Sequence, residues 1–343
     1  MYSAQNPCAL NGFAFLEFSS PNPAHVHEIF KKMGFSQIAR HPHHTLDYWQ
    51  QNQIHLIHNH IENSQAAQHA KTHKAGACAM GFLVADAEKS FQIAIDRGAK
   101  EAQRHPIYNL RAIEGIGGSV IYFADAHFRP YGDDWHIQAN NWQKNCGLQY
   151  IDHLTHNVKR GQLKKWADFY HRIFNFHEIR NFNITGKLTG LYSEALESPC
   201  GKIKIPLNES KDDKSQIEEF LHEFHGEGIQ HIALHTQNIY DTVSKMQDQG
   251  IQFLDTPSAY FEMIAKRLPW QQESIAELQK CKILIDGGPK ESDGLLLQIF
   301  TENIFGPVFF EIIHRKGNQG FGEGNFQALF EAIERDQMER GVL

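Results

Sequence analysis

Residues 151–176, IDHLTHNVKRGQLKKWADFYHRIFNF, decide how this chain folds. An apolar run gives way to the polar turn KRGQ, then to an amphipathic stretch that stops at Phe174-Asn175-Phe176. That order predicts strand, turn and helix. Residues 12–35, GFAFLEFSSPNPAHVHEIFKKMGF, repeat it, with two prolines in the turn and Met33-Gly34-Phe35 at the stop. A second pair matches as well. GACAMGFLVADAEKSFQIAIDRGAK (76–100) and GIQHIALHTQNIYDTVSKMQDQGIQ (228–252) both read as strand then helix, with Gly98 and Gly250 ending the helices. Short alternating segments follow, among them TLDYWQ, IHLIHN, KIKIPL and LLLQIF. The pattern is a βαβββ unit occurring four times, two per half, which makes the chain α+β. The polar stretch QANNWQKNCG marks the expected boundary, with a structural domain without metal over 1–145 and a catalytic domain over 146–343.

At 343 residues, two domains are also the expectation from size. A net charge of −7 with no basic block argues against nucleic acid as a partner. No basic segment precedes a long apolar one at the N-terminus, and runs such as VFFEII stop far short of a bilayer span, so neither a signal peptide nor a membrane segment is expected. Cys8, Cys78, Cys146, Cys200 and Cys281 are scattered without a CxxC pair, which suits reduced thiols in a cytoplasm.

The repeats inform most where their copies differ. His153 falls opposite Ala14, and His231 opposite Ala79. Equal apolar patterns with imidazoles in one copy alone point to one working site beside one structural partner. A third donor is Glu311 in PVFFEIIHR, a carboxylate inside a short apolar run, costly to bury unless paired or bound to a metal. Two imidazoles and one carboxylate on separate strands make the facial triad of mononuclear iron(II) oxygenases. Phe309 shares the face of Glu311 and would wall the metal. HLIHNH (55–60), HPHHT (41–45) and HEFH (222–225) have metal-like spacing without a carboxylate partner and read as surface histidines. His156 has the wrong strand parity, whereas His235 shares that of His231 and could support or replace it. GIGGS (115–119) lacks the residues of a phosphate loop and reads as a bend. Near the C-terminus, Gly320, Gly322 and Gly324 precede apolar positions Phe326, Leu329, Phe330 and Ile333 at helical spacing, suiting a hinged lid helix.

IDHLTHNV, SPCGKIKIPLNES, GIQHIALHT, LLLQIFTENIFGPVFFEIIHRKG and GFGEGNFQALFEAIERDQ together resemble the 4-hydroxyphenylpyruvate dioxygenase family of the vicinal-oxygen-chelate superfamily, over essentially the whole chain. The resemblance implies two domains, each an open, strongly curved mixed β-barrel built from paired βαβββ modules, and one Fe(II) per chain on His153, His231 and Glu311. It implies conversion of 4-hydroxyphenylpyruvate and O2 to homogentisate and CO2 in tyrosine and phenylalanine catabolism, in a homo-oligomer (dimer or tetramer). Ser193, Pro206, Asn208, Gln216, Phe300, Phe321, Asn325 and Phe326 are implied as substrate-binding, and Gln230, Gln298 and Phe309 as catalytic. Gln230 sits awkwardly, because simple alternation points it away from His231. RLPWQQESIAEL and His314 depart from the family pattern, which bears on local loops. The competing readings are 4-hydroxymandelate synthase, which has the same substrate and ligands, and a ligand-binding relative without catalysis.

Overall fold

In a computed structural model, which describes residues 1–137, 145–185, 190–213 and 215–325, each half of the chain forms its own eight-stranded mixed sheet. The first runs β1 (Leu10–Ser19), α1 (Pro23–Lys32), β2 (Ser36–Arg40), β3 (Leu46–Gln51), β4 (Ile54–Asn59), α2 (Gln65–His73), β5 (Gly76–Val84), α3 (Ala87–Asp96), β6 (Ala112–Glu114), β7 (Val120–Ala124) and β8 (His136–Ile137). The second runs β9 (Leu148–Val158), α4 (Leu163–Phe174), β10 (His177–Thr185), β11 (Gly190–Glu197), β12 (Lys204–Ser210), α5 (Gln216–Glu223), β13 (Gly228–Thr236), α6 (Ile239–Asp248), α7 (Ser258–Arg267), α8 (Ile275–Lys280), β14 (Leu284–Gly287), β15 (Leu295–Phe300) and β16 (Phe309–Lys316).

The helices start and stop where the sequence places them. Asn22 and Asn238 accept backbone hydrogen bonds at the starts of α1 and α6. The chain leaves α1 through Gly34 at φ +84° and α4 through Asn175 at φ +57°, the left-handed exit that glycine and asparagine tolerate best.

Three of the four expected modules are complete. The second falls short. In the second sheet the order β13-β16-β15-β14 gives three strands after the helix, but in the first only β7 and β6 follow β5. The strand that would match β14 is reduced to one bridge, Glu101 to Ile113, and the two-residue β8 pairs with β2 at the far edge.

Pairing registers align the halves residue by residue. Ala233 on β13 lies between His153 on β9 and Glu311 on β16. In the first half Gly81 lies between Phe15 and Tyr122. Phe15, not Ala14, is therefore the counterpart of His153, while Ala79 does match His231, since each pairs two residues further along. Ala14 and Asp152 are both skipped in the register, as are Cys78 and Gln230. Each is the extra residue of a β-bulge, and both bulges occur in both halves.

The interior of the first sheet is filled. Phe15, Leu46, Tyr48, Ile57, Tyr122 and Trp135 form an apolar cluster of their own, separate from the large core that unites the two halves. Phe15 stacks on Tyr122 at 6.0 Å and lies over Gly81, where an added Cβ would come within 2.4 Å of its ring. The matching space in the second half is a cleft.

Candidate metal centre

The cleft floor is the strand triplet β9, β13 and β16. Side chains paired across a sheet share a face, so His153, Ala233 and Glu311 stand in one row, with Thr155, His231 and Phe309 in the next. Ala233 carries only a methyl group and lets its taller neighbours meet above it. Glu311 Oε2 lies 3.1 Å from His153 Nε2 and 3.4 Å from His231 Nε2, with all three side chains buried.

The bulges aim the imidazoles. Asp152 turns its carboxylate onto His153 Nδ1 at 2.9 Å, and Gln230 Oε1 accepts from His231 Nδ1 at 2.9 Å. Both rings thus carry hydrogen on Nδ1, which leaves Nε2 as the atom that faces Glu311 and could ligate a metal. Asp152 is itself gripped by Arg315 through Nε at 2.8 Å and Nη2 at 2.7 Å. Phe309 stacks on His231 with ring centroids 4.9 Å apart, and Phe321 meets His153 edge-on at 5.2 Å.

Burial alone would raise the Glu311 carboxyl, but the facing His153 and His231 outweigh it and hold it at about 2. Burial opposes charge on His153 as well, yet Glu311 and Asp152 overcome it and its pKa is raised. His231 is lowered by burial, which Glu311 offsets only in part. Burial would also raise Asp152, and Arg315 beside it holds the carboxyl well below the usual range.

The donors suit a metal ion. Ligands at right angles around an ion bonded at roughly 2.1 Å stand about 3 Å apart, close to the separations seen. Glu311 Oε1 is buried without a hydrogen-bond partner among the described residues, a vacancy that coordination would fill.

Above the triad opens a cleft with about 40 Å³ of water-accessible space. Ser193, Pro206, Asn208, Gln298, Phe300 and Phe321 line it, all singled out from the sequence. Gln298 is buried, and its Oε1 has no partner among the described residues. Thr155, Phe182, Leu191 and Glu323 also line it and were missed. Thr155 was findable from its parity with His153, and Leu191 from its parity with Ser193. Asn157 was missed too. It ends the cross-strand row Phe182, Ser193, Asn208, Asn157, fully buried with both amide atoms unpartnered among the described residues.

Other expected residues lie elsewhere. Gln216 is exposed, because Ser215 caps α5 and leaves it on the solvent side of the first turn. Asn325 accepts from Tyr260 at 2.6 Å and is not among the residues lining the cleft. Gln230 and Phe309 contact His231 and are not among the residues lining the cleft. His235 stacks on Tyr150 at 4.4 Å, away from the triad, and His156 is tied to Tyr170. Phe326 and the expected lid helix lie outside the described residues. His58 and His60 of the HLIHNH run are not surface groups without a carboxylate. They converge with His27 on the buried Asp47.

The family described as hydroxyphenylpyruvate dioxygenase, N-terminal, matches residues 4–135, and the glyoxalase/bleomycin resistance protein/dioxygenase superfamily matches residues 150–263. Among curated relatives, the 4-hydroxyphenylpyruvate dioxygenase of Legionella pneumophila (strain Corby) is 61% identical over 98% of both chains. That of Pseudomonas aeruginosa is 49% identical over 98% of this chain and 97% of its own. Hemolysin VllY of Vibrio vulnificus is 47% identical over 100% and 99%. Among solved structures, a fusion of a xylose isomerase-like TIM barrel with a 4-hydroxyphenylpyruvate dioxygenase superposes with a TM-score of 0.81 at 26% identity. It is matched over 95% of this chain and 53% of that longer one. A 4-hydroxymandelate synthase variant from Streptomyces coelicolor gives a TM-score of 0.81 at 24% identity over 96% and 99%, a likeness of fold.

Proposed function

The chain belongs to the 4-hydroxyphenylpyruvate dioxygenase family, and from that premise we propose that it converts 4-hydroxyphenylpyruvate and O2 to homogentisate and CO2 over His153, His231 and Glu311. The observation that carries the proposal is the buried Glu311, facing two imidazoles with one oxygen unpartnered, at the floor of a cleft.

We assign the metal as Fe(II), one per chain, since two imidazoles and a carboxylate leave positions open for a keto acid and O2. Bound iron would supply the redox chemistry and the anchor for the keto acid. The chain's own residues do the rest. Asp152 and Gln230 fix the tautomer of each imidazole, so the metal-facing nitrogen stays unprotonated. Phe309 and Phe321 hold the two rings against rotation. Ser193, Asn208 and Asn157, neighbours across β11, β12 and β9, offer a polar wall to the phenol end of the substrate. Pro206, Phe182 and Phe300 offer the apolar faces an aromatic ring needs, and the amide of Gln298 lies beside them. Such a wall excludes water and fixes the ring relative to the metal, and ring placement decides which carbon is hydroxylated.

A place in tyrosine and phenylalanine catabolism, a cytoplasmic setting, a homo-oligomer and a domain boundary near residue 145 complete the proposal on the strength of the family. No helix among the described residues is long and apolar enough to cross a membrane. The test is oxygen uptake by Fe(II)-loaded protein given 4-hydroxyphenylpyruvate, with chromatography of the product. Homogentisate is expected, and Glu311→Gln should lose both iron and uptake. Hydroxymandelate instead would reassign the reaction, and no uptake would reject it.

A further inference from the structure

A second cluster of ligating groups lies in the half of the chain that the sequence suggested to be without metal. His27 on α1, Asp47 on β3, and His58 and His60 at the end of β4 each offer one ligand atom, all within 4.8 Å of one another. His27 Nε2 is 3.0 Å from Asp47 Oδ2 and 3.0 Å from His58 Nδ1, and His60 Nε2 is 3.5 Å from Asp47 Oδ2. Asp47 and His58 are buried, while His27 and His60 keep side-chain exposures of 18% and 21%, so an ion has a way in.

Hydrogen bonding alone leaves this cluster incomplete. A hydrogen on His27 Nε2 can serve Asp47 or His58 fully, not both. His60 Nε2, which faces Asp47 from 3.5 Å, is buried with no hydrogen-bond partner among the described residues. Such a stranded nitrogen costs roughly 1–3 kcal/mol. The other oxygen of Asp47 is already taken, accepting from Gln37 Nε2 at 2.6 Å and Arg40 Nε at 2.7 Å. That grip leaves Oδ2 aimed at the imidazoles, as partners behind a ligating carboxylate do. The spacing also suits an ion. Four N or O ligands at roughly 2.0–2.1 Å from a tetrahedral centre stand about 3.3–3.4 Å apart, against 3.0, 3.0 and 3.5 Å here.

We propose that His27, Asp47, His58 and His60 form a second, structural site for a zinc-class divalent ion, separate from the triad. Three imidazoles and a carboxylate fill a tetrahedron, so the site is closed and performs no chemistry. Its effect is mechanical. It staples α1 to β3 and β4, and α1 also reaches the other half, where His25 Nε2 meets the Ile304 carbonyl at 2.9 Å and its ring packs on Phe305.

The test is a Co2+ titration of the metal-depleted full chain, followed by visible absorption and elemental analysis. The wild type should take an equivalent with the intense bands of four-coordinate cobalt and another with the weak bands of an open octahedral triad. His60→Gln should lose the intense bands and one equivalent, while keeping the weak bands and wild-type turnover when loaded with iron. Glu311→Gln should show the reverse pattern of binding. Zinc should raise the Tm of Glu311→Gln but not of its combination with His60→Gln. If His60→Gln fails to fold, His27→Gln carries the same comparison. A wild type that binds only one equivalent, or a His60→Gln or His27→Gln protein that keeps both, would overturn the proposal. Neither result touches the dioxygenase assignment, which rests on the other half.

Discussion

Asp152 and Gln230 show how a single residue out of register can organise a site. Each is the extra residue of a bulge, sits immediately before a triad histidine, and bonds its Nδ1. Gln230→Leu should weaken metal affinity about 10- to 100-fold with little change in stability, as competition with a chelator would measure. Asp152→Ala should do that and more. It strands Arg315, whose side chain is only 6% exposed, and should cost roughly 3 kcal/mol in urea denaturation of the metal-free protein. Much of the triad was legible, because His231 opposite an alanine in the repeat, and a carboxylate inside an apolar run, are both visible in the letters. The bulges were not. No glycine or turn residue marks them, so strict alternation pointed Gln230 the wrong way.

The segment that follows β16 is an element whose composition was clear and whose role was not. Its glycines suggested a hinge. Gly322, at φ +80°, packs so closely on Gln298 that a Cβ would stand 1.8 Å from Oε1. Tyr260 and Arg267 on α7 then hold Asn325, and Arg267 Nη1 reaches the Gly324 carbonyl at 2.9 Å. The segment is pinned at both of those points. Gly322→Ala should therefore displace Gln298 and lower kcat/KM on the order of 10²-fold while metal content stays at the wild-type level, measured by steady-state kinetics beside metal analysis.

Across the whole molecule, hydrophobic period and helix stops were enough to place both sheets, and local pattern could not reveal that one strand of the second module is reduced to a single bridge. Nor could it assemble His27, Asp47, His58 and His60, which share no spacing motif and meet only through packing. Buried histidines also set the pH response of the fold. Burial pushes His69 and His156 down to about 3, against an ordinary value near 6.5. The unfolded chain takes up these protons first, so the stability carried by the neutral rings is complete above pH 6.5 and is lost as pH falls from there toward 3. At pH 5 each should cost about 2 kcal/mol relative to pH 7.5, seen as a falling urea midpoint. Glu311 adds its own loss only lower, between about 4.5 and 2. His69→Gln should flatten the upper part of that decline.

The ring of Phe15 occupying the space over Gly81 makes the divergence of the two halves a one-way path. Returning donors to positions 15, 79 and 122 would remove two interlocked aromatic rings, at roughly 3–5 kcal/mol for each such loss, before any ion could bind and compensate. Every intermediate genotype would carry a hole where neither hydrocarbon nor metal is present. A lineage or a designer seeking a second oxygen-activating centre in this chain would do better to build it somewhere other than the place its ancestry suggests.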